Sequence, residues 1–147
     1  MKLTDAFLGE HGAFNALFST IERLADTSGD LAQIEGALAA LAAEVSSHAA
    51  LEEELLFSAL EPLLEDDALI TEMRAEHREI RAGLERIEAA QNIQQAVDAV
   101  RLTFAVARRH FQKEEEVLYP LAQRVLDEEA LTRLGEAWAA VRQVKTK

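Results

Sequence analysis

The sequence predicts an all-α protein, an antiparallel four-helix bundle in up-down-up-down order with a short extra C-terminal helix. Three observations lead to this fold class. Apolar residues recur at three- and four-residue steps in four long segments, and alanine, leucine and glutamate dominate the composition, as in helical bundles. No sustained period-two pattern and no Asn-Gly or Asp-Gly turn indicates a strand. The connections are short, so successive helices should be antiparallel neighbours.

The first two helices are delimited by capping residues and by proline. The first begins with Thr4 or Asp5 as its N-cap and ends at residues 27–29, Thr-Ser-Gly. The second begins at Asp30, which opens a capping-box pattern, and its apolar stripe continues as far as Pro62. Proline should end or kink the helix there, because its ring clashes with the preceding turn and it has no backbone N–H to donate.

The remaining segments follow the same rules. The third helix comes after the acidic residues 65–67, and the fourth opens with a second capping-box pattern at Asn92 and runs until just before Pro120. A shorter fifth segment starts at about Asp127 and is expected to pack outside the four-helix core.

The size of the chain fits one domain. Its 147 residues predict a single domain over 1–147, with the bundle at about 4–126 and the C-terminal helix at about 128–144. No apolar run is long enough to cross a membrane, and charged residues interrupt the N-terminal segment too early for a secretory signal. We therefore expect a cytoplasmic protein that does not engage a membrane.

Charge and cysteine usage exclude several classes of function. The formal net charge of −12 argues against nucleic acid as a partner, because binding a phosphate backbone requires a basic surface. The chain has no cysteine, so disulfides, thiolate zinc sites, iron–sulfur ligation and thiol catalysis are all excluded. Any bound metal must be held by nitrogen and oxygen donors.

The histidines form an internal repeat. The chain has four, one in each long predicted helix. Two of them open the phrase His-x-x-x-Glu-Glu-Glu, and the other two directly follow a glutamate. The spacing is 37 residues in the first half and 33 in the second, so the sequence indicates one helix pair used twice. The histidines are His11, His48, His77 and His110.

This repeat points to a two-metal site. Residues four apart share a helix face, so Glu52 lies beside His48 and Glu114 beside His110, both on apolar stripes where an unpaired charge is costly. One such histidine alone would more often be a core side chain, but four with two matched glutamates favour a metal site between the helices. The simplest assignment gives one ion His11 and His48 and the other His77 and His110, with Glu52 and Glu114 bridging.

The other glutamates and two aromatic residues are given peripheral roles. Helix geometry turns the second and third glutamates of each triplet towards solvent, although Glu115 competes with Glu114 as a ligand if a local bulge shifts the helix phase. Glu10 and Glu76 are expected to be solvated charges. Phe57 and Tyr119 occupy matching places and are expected to seal the bundle end. The triplet residues predicted to be exposed are Glu53, Glu54, Glu115 and Glu116.

His11, the phrase from His48 to Glu52, Glu76-His77 and the segment 110–120 resemble the hemerythrin family, in particular its HHE cation-binding branch. The likeness covers about residues 5–120. It implies an antiparallel four-helix bundle around a non-haem di-iron centre, with two iron ions and a bridging oxo or hydroxo group. The donors themselves leave zinc and manganese possible, and the resemblance makes iron the leading metal.

One departure from the oxygen-carrying hemerythrins bears on function. Those proteins are similar in fold but have a fifth histidine where this chain has Met73, and a methionine on an apolar stripe is most often core packing. Their fourth-helix carboxylate matches Glu115, whereas the internal repeat favours Glu114. The chain thus resembles the four-histidine, two-glutamate members, which include iron-centre repair proteins and iron-responsive sensing domains. We predict that it does not carry oxygen reversibly with high affinity.

Three hypotheses for function remain. The leading one is a non-haem di-iron protein that binds, senses or reacts with dioxygen, nitric oxide, peroxide or iron, with a small gaseous or peroxide ligand as its partner. The second is a di-iron redox enzyme that consumes peroxide or repairs iron centres, although the repair proteins have a cysteine-containing module that this sequence does not show. The third is a metal-free helical interaction module. The sequence leaves the oligomeric state open.

Overall fold

The computed structural model describes residues 1–145, which form an all-α fold with no strand among them. The predicted fold class is confirmed. Seven α-helices alternate with short non-α turns. They are α1 (Leu3–Thr27), α2 (Leu31–Leu51), α3 (Ser58–Leu60), α4 (Ala68–Glu88), α5 (Ile93–Lys113), α6 (Tyr119–Val125) and α7 (Glu128–Arg142).

Two of the bundle's long helices contain a π-helical turn at the same point of the repeat. The turn Glu52–Phe57 joins α2 to α3, and a 3₁₀ turn, Glu61–Leu63, ends that helix. The turn Glu114–Leu118 joins α5 to α6. Each π turn begins at the glutamate that follows its histidine by four residues. Single π turns of this kind occur frequently at functional sites.

The apolar core has two parts with a polar layer between them. In α1, Leu3 and Phe7 belong to one buried cluster, and Phe14 and Phe18 belong to the other. His11 lies between these two pairs along the helix and is itself buried. The other three histidines, Glu52 and Glu114 are also buried. The bundle therefore encloses a layer of ionisable side chains between two apolar layers.

The helix ends agree with the sequence prediction at most positions and differ at two. Asp30, Asn92 and Asp127 each accept a backbone N–H as N-caps. The prediction for α1 is wrong, because the N-cap is Lys2 and Asp5 lies in the first turn, where its carboxylate accepts the Lys2 amide at 3.3 Å. Asp5 thus satisfies the amide of the N-cap residue itself, whereas an N-cap side chain would accept an amide from within the first turn.

Pro120 does not end its helix, contrary to the prediction. The helix continues through α6 to Val125. Pro120 is the second residue of α6 and directly follows the π turn, in which the Tyr119 amide bonds to the Glu114 carbonyl five residues back. The wider turn relieves the clash between a proline ring and the carbonyl four residues earlier. Pro62, by contrast, lies in the final 3₁₀ turn of its helix, as predicted.

Helix α7 packs outside the bundle against α1 and the first π turn. Its contact with the N-terminus is close, because a Cβ atom at Gly135 would lie 2.2 Å from the Met1 carbonyl oxygen. None of the helices within residues 1–145 is long and apolar enough to cross a membrane.

Changing Gly135 to alanine should lower the free energy of unfolding by about 1–3 kcal/mol, because the added methyl group forces α7 away from the N-terminal backbone. The matched control is Gly36→Ala in α2, where nothing lies within 4 Å of the added atom. That variant should raise the free energy of unfolding by about 1 kcal/mol through helix propensity alone. Urea denaturation of both variants tests the contact, and equal effects of the two changes would contradict it.

Candidate metal centre

The six predicted site residues meet in the buried polar layer. None of the four histidines is more than 5% exposed, and Glu52 and Glu114 are fully buried. The imidazoles converge on the bundle axis from four helices. His11 Nε2 lies 3.2 Å from His48 Nε2, and His77 Nε2 lies 3.2 Å from Glu52 Oε2.

The donor atoms fall into two groups, each with all its atoms within 4.8 Å of one another. The larger group contains Glu52, His77, His110 and Glu114, and the smaller one contains His11, His48 and Glu114. Glu114 belongs to both groups. The histidines divide between the groups in the way that the sequence indicated. Glu52 belongs only to the larger group, so its bridging role stays a prediction.

Several of these donors are buried without a hydrogen-bond partner. Both carboxylate oxygens of Glu52 and of Glu114, and Nε2 of His77 and of His110, make no hydrogen bond. His110 Nε2 lies 2.7 Å from Glu114 Oε1, but the two atoms are not in hydrogen-bonding geometry. A buried polar atom without a partner costs about 1–3 kcal/mol, and cations coordinated by these atoms would compensate that cost. The donor set is suited to such ions, because imidazole and carboxylate ligands bind first-row transition metals.

The ionisation of the cluster reflects its burial. Burial and the neighbouring Glu52 carboxylate raise the pKa of Glu114 well above its usual value. Burial lowers the pKa of His11 to about 3, and repulsion from His48 contributes. Burial also opposes protonation of His77, but the Glu114 and Glu52 carboxyl groups, with oxygens 3.6 Å and 3.2 Å from its Nε2, outweigh it and raise the pKa of His77 to about 9. Without metal, the cluster therefore holds protons among its own donors.

Each imidazole is oriented by a second glutamate from a neighbouring helix. A carboxylate can only accept, so each Nδ1 carries a proton and leaves the Nε2 lone pair free to face the cluster. Sequence reasoning missed this role of the four carboxylates, because it predicted that their side chains face solvent. The pairs are His48 with Glu10 (2.6 Å), His110 with Glu76 (2.6 Å), His77 with Glu53 (2.8 Å) and His11 with Glu115 (2.9 Å).

The π turns explain two of these pairs. Each π turn begins at the buried glutamate. A π turn has more residues per turn than an α-helix, so each residue is rotated by a smaller angle from the one before it. Glu53 and Glu115 therefore reach an imidazole at the bundle wall, although their side chains stay 37% and 39% exposed. The bulge that sequence analysis considered is present, and it directs Glu115 to His11 Nδ1 while Glu114 faces the cluster.

Aromatic rings close the other sides of the cluster. Phe111 stacks on His11 at 4.1 Å between ring centroids, and Phe57 stacks on His77 at 5.6 Å. Tyr119 matches Phe57 in the repeat but adds a hydroxyl, which lies 3.2 Å from His11 Nε2. Burial and the carboxylates of Glu52 and Glu114 raise the pKa of Tyr119 well above its usual value. Tyr119 therefore does more than seal the bundle end, because it brings a protonated hydroxyl into the cluster.

A small cavity reaches the imidazoles from the side of α2 and α4. Its volume is about 20 Å³, enough for one water-sized molecule, since a single water needs about 10–15 Å³ by the same measure. The lining is mainly apolar and includes Val45, Ile80, Leu84, Phe111 and the rings of His48, His77 and His110.

The bundle and its buried nitrogen and oxygen donors define a class of helical cation-binding proteins. Within that class, the chain belongs to the hemerythrin family: the model of the hemerythrin HHE cation binding domain matches residues 2–122 and, in a second match, 71–145. The second match begins within α4, as expected if the helix pair is repeated. Comparisons with curated proteins and with solved structures gave no match.

Metal uptake should release protons and strengthen as the pH rises. A metal ligand must be neutral at nitrogen, so the proton that His77 holds below a pKa of about 9 has to leave, and the proton favoured by the raised pKa of Glu114 leaves with it. Calorimetric titration with Fe²⁺ in buffers of different ionisation enthalpy measures this release. We expect proton release at about pH 7 that diminishes above about pH 9. Affinity independent of pH across that interval would contradict the prediction.

Proposed function

We propose that the protein is a dinuclear non-haem iron protein that binds or reacts with a small oxygen or nitrogen ligand. Its ligands would be His11 and His48 for one ion and His77, His110 and Glu52 for the other, with Glu114 shared. The observation that carries the proposal is the set of buried carboxylate oxygens and imidazole nitrogens without hydrogen-bond partners. In the metal-free fold, the protons held by His77 and Glu114 would compensate only part of this cost.

Iron is favoured by the family and is compatible with the donors. Imidazole suits iron, zinc and copper, and carboxylate suits harder ions such as manganese. Membership of the HHE cation-binding family supports iron for this mixed set. Iron would supply redox chemistry and exchangeable coordination positions. The outer carboxylates would fix the imidazoles through Nδ1, and Glu114 would be a ligand common to both ions. The rings of Phe57 and Phe111 would exclude bulk water.

A small ligand is supported by the number of donors and by the available space. The two donor groups offer three and four side chains, fewer than the six ligands of an octahedral ion. Met73 is fully buried in the apolar cluster at the Phe7 end of the site, so it packs as a core residue. The cavity of about 20 Å³ beside three of the imidazoles limits access to very small molecules. Dioxygen, nitric oxide and peroxide are of this size.

A peroxide-consuming enzyme is the second candidate, and the Tyr119 hydroxyl is the observation that favours it. Such catalysis requires a placed proton donor, and sequence reasoning found no inward residue for that role. The Tyr119 hydroxyl lies 3.2 Å from His11 Nε2 and burial keeps it protonated, so it would donate a hydrogen bond to a small ligand held beside that nitrogen.

The experiment that separates these functions follows reduced, iron-loaded protein after exposure to dioxygen, nitric oxide and peroxide in turn. A ligand-binding protein should give a defined spectral adduct with limited turnover, whereas an enzyme should consume peroxide repeatedly and lose that activity in Tyr119→Phe. The double variant His48→Ala, His110→Ala is the metal-deficient control. A metal-free interaction module would bind no iron and would lose little stability in the double variant, and that result would overturn the proposal.

A further inference from the structure

The outer carboxylates of the two halves are held in different ways. Glu76, which orients His110, forms an ion pair with Lys113. Lys113 belongs to α5, which is one of the helices of the bundle itself. Glu10 is the repeat counterpart of Glu76 and orients His48, but its partners come from α7, outside the bundle. The internal repeat is therefore broken at this point, and only one half of the centre depends on a peripheral helix.

Two side chains of α7 converge on the same oxygen of Glu10. Arg142 Nε lies 2.7 Å from Glu10 Oε1, and Trp138 Nε1 donates to the same atom at 3.2 Å. The other oxygen, Oε2, accepts from His48 Nδ1 at 2.6 Å. The side chains of Glu10 and Arg142 are only 13% and 16% exposed, so the pair is partly shielded from water.

Arg142 also ties α7 to the helix that carries His48. Its Nη1 donates to Ser47 Oγ at 2.7 Å, one residue before His48, and lies 3.5 Å from Glu44 Oε2 one turn earlier. Arg142 thus joins α7 to α1 and to α2 at the level of the imidazole. If α7 undocked, Glu10 Oε1 would lose both of its donors, and α2 would lose its hydrogen bonds to Arg142.

We propose that α7 is a positioning element of the metal centre, and that Arg142 and Trp138 hold Glu10 against His48 so that the ion at His11 and His48 binds tightly only when α7 is docked. This inference rests on the proposed two-ion site. Removing such an outer partner typically lowers metal affinity 10- to 100-fold. By thermodynamic reciprocity, loading this ion stabilises the docked position of α7 by the same factor.

Anaerobic calorimetric titration with Fe²⁺ tests the proposal in the full chain. Wild-type protein should bind two ions, and Arg142→Ala should weaken one of them about 10- to 100-fold while leaving the other unchanged. Trp138→Phe keeps the ring but removes the N–H donor, and it should weaken the same ion by a smaller factor. Arg142→Lys retains the charge and should restore part of the loss.

The matched control is Arg133→Ala, which removes another α7 arginine; among residues 1–145 its ion-pair partner is the exposed Glu129. Both affinities should stay at the wild-type values. Hydrogen exchange gives an independent readout, because Fe²⁺ should slow exchange of the α7 amides in the wild type and not in Arg142→Ala. Equal weakening of both ions, or unchanged affinities in Arg142→Ala, would overturn the role of α7. Failure of the wild type to bind two ions would instead overturn the proposed function.

Discussion

Changing Glu114 to glutamine should abolish tight binding of both ions and leave the metal-free fold at least as stable as the wild type. Glu114 is the one residue common to the two donor groups, so its loss affects both ions. A neutral amide of the same shape is a much weaker ligand for a divalent cation than a carboxylate. Metal analysis after Fe²⁺ loading should fall from two ions per chain to less than one.

The loss of metal binding in Glu114→Gln should not be accompanied by a loss of stability in the metal-free protein. Burial, together with the neighbouring carboxylate of Glu52, raises the pKa of Glu114 well above its usual value. Glu114 is therefore protonated and neutral in the metal-free fold, so replacing it by an uncharged amide of the same shape removes no charge and should not lower the free energy of unfolding. Glu116→Gln, two residues away and exposed, is the matched control and should change neither property. Two tightly bound ions in Glu114→Gln would show that this carboxylate is not the shared ligand.

Loading with metal should raise the melting temperature by about 10 °C per tightly bound ion. An ion at a thousand times its Kd stabilises the folded state by about 4 kcal/mol, and about 1 kcal/mol shifts Tm by about 2–4 °C in a chain of this size. The ions would also compensate the buried donors that have no partner. Differential scanning calorimetry with and without a strong chelator measures the shift.

The control for this measurement is the double variant His48→Ala, His110→Ala, which removes one imidazole from each donor group. Its Tm should be the same with and without Fe²⁺. A wild-type Tm that does not respond to Fe²⁺ would contradict the two-ion site, because a ligand that binds only the folded state must stabilise it.

The donors that face the cluster could be predicted because their signal is local. His48 and Glu52 are four residues apart on an apolar stripe, and the same spacing recurs at His110 and Glu114. Helix periodicity alone places each pair on the buried face. The four long helical segments, their antiparallel order and the C-terminal helix follow from the same periodicity and from short connections. The π turns that divide two of those segments, and so give seven α-helices in residues 1–145, were not predicted.

The outer carboxylates and the role of α7 could not be predicted, because they depend on contacts between residues far apart in sequence. Glu10 pairs with His48 38 residues away, and Arg142 reaches back 132 residues to Glu10. A glutamate beside a buried histidine has the same local pattern whether it faces solvent or a neighbouring helix. The π turns have no distinct composition either. They set the directions of the Glu53 and Glu115 side chains, so those directions could not be predicted.

Crystals of iron-loaded protein, measured at the iron absorption edge, would locate any iron bound between the helices. The anomalous difference map should show two peaks inside the bundle, one beside Nε2 of His11 and His48 and one beside Nε2 of His77 and His110, with Glu114 in contact with both. A map with no peak between the helices, or with iron only at surface carboxylates, would show that these side chains do not form a two-iron site.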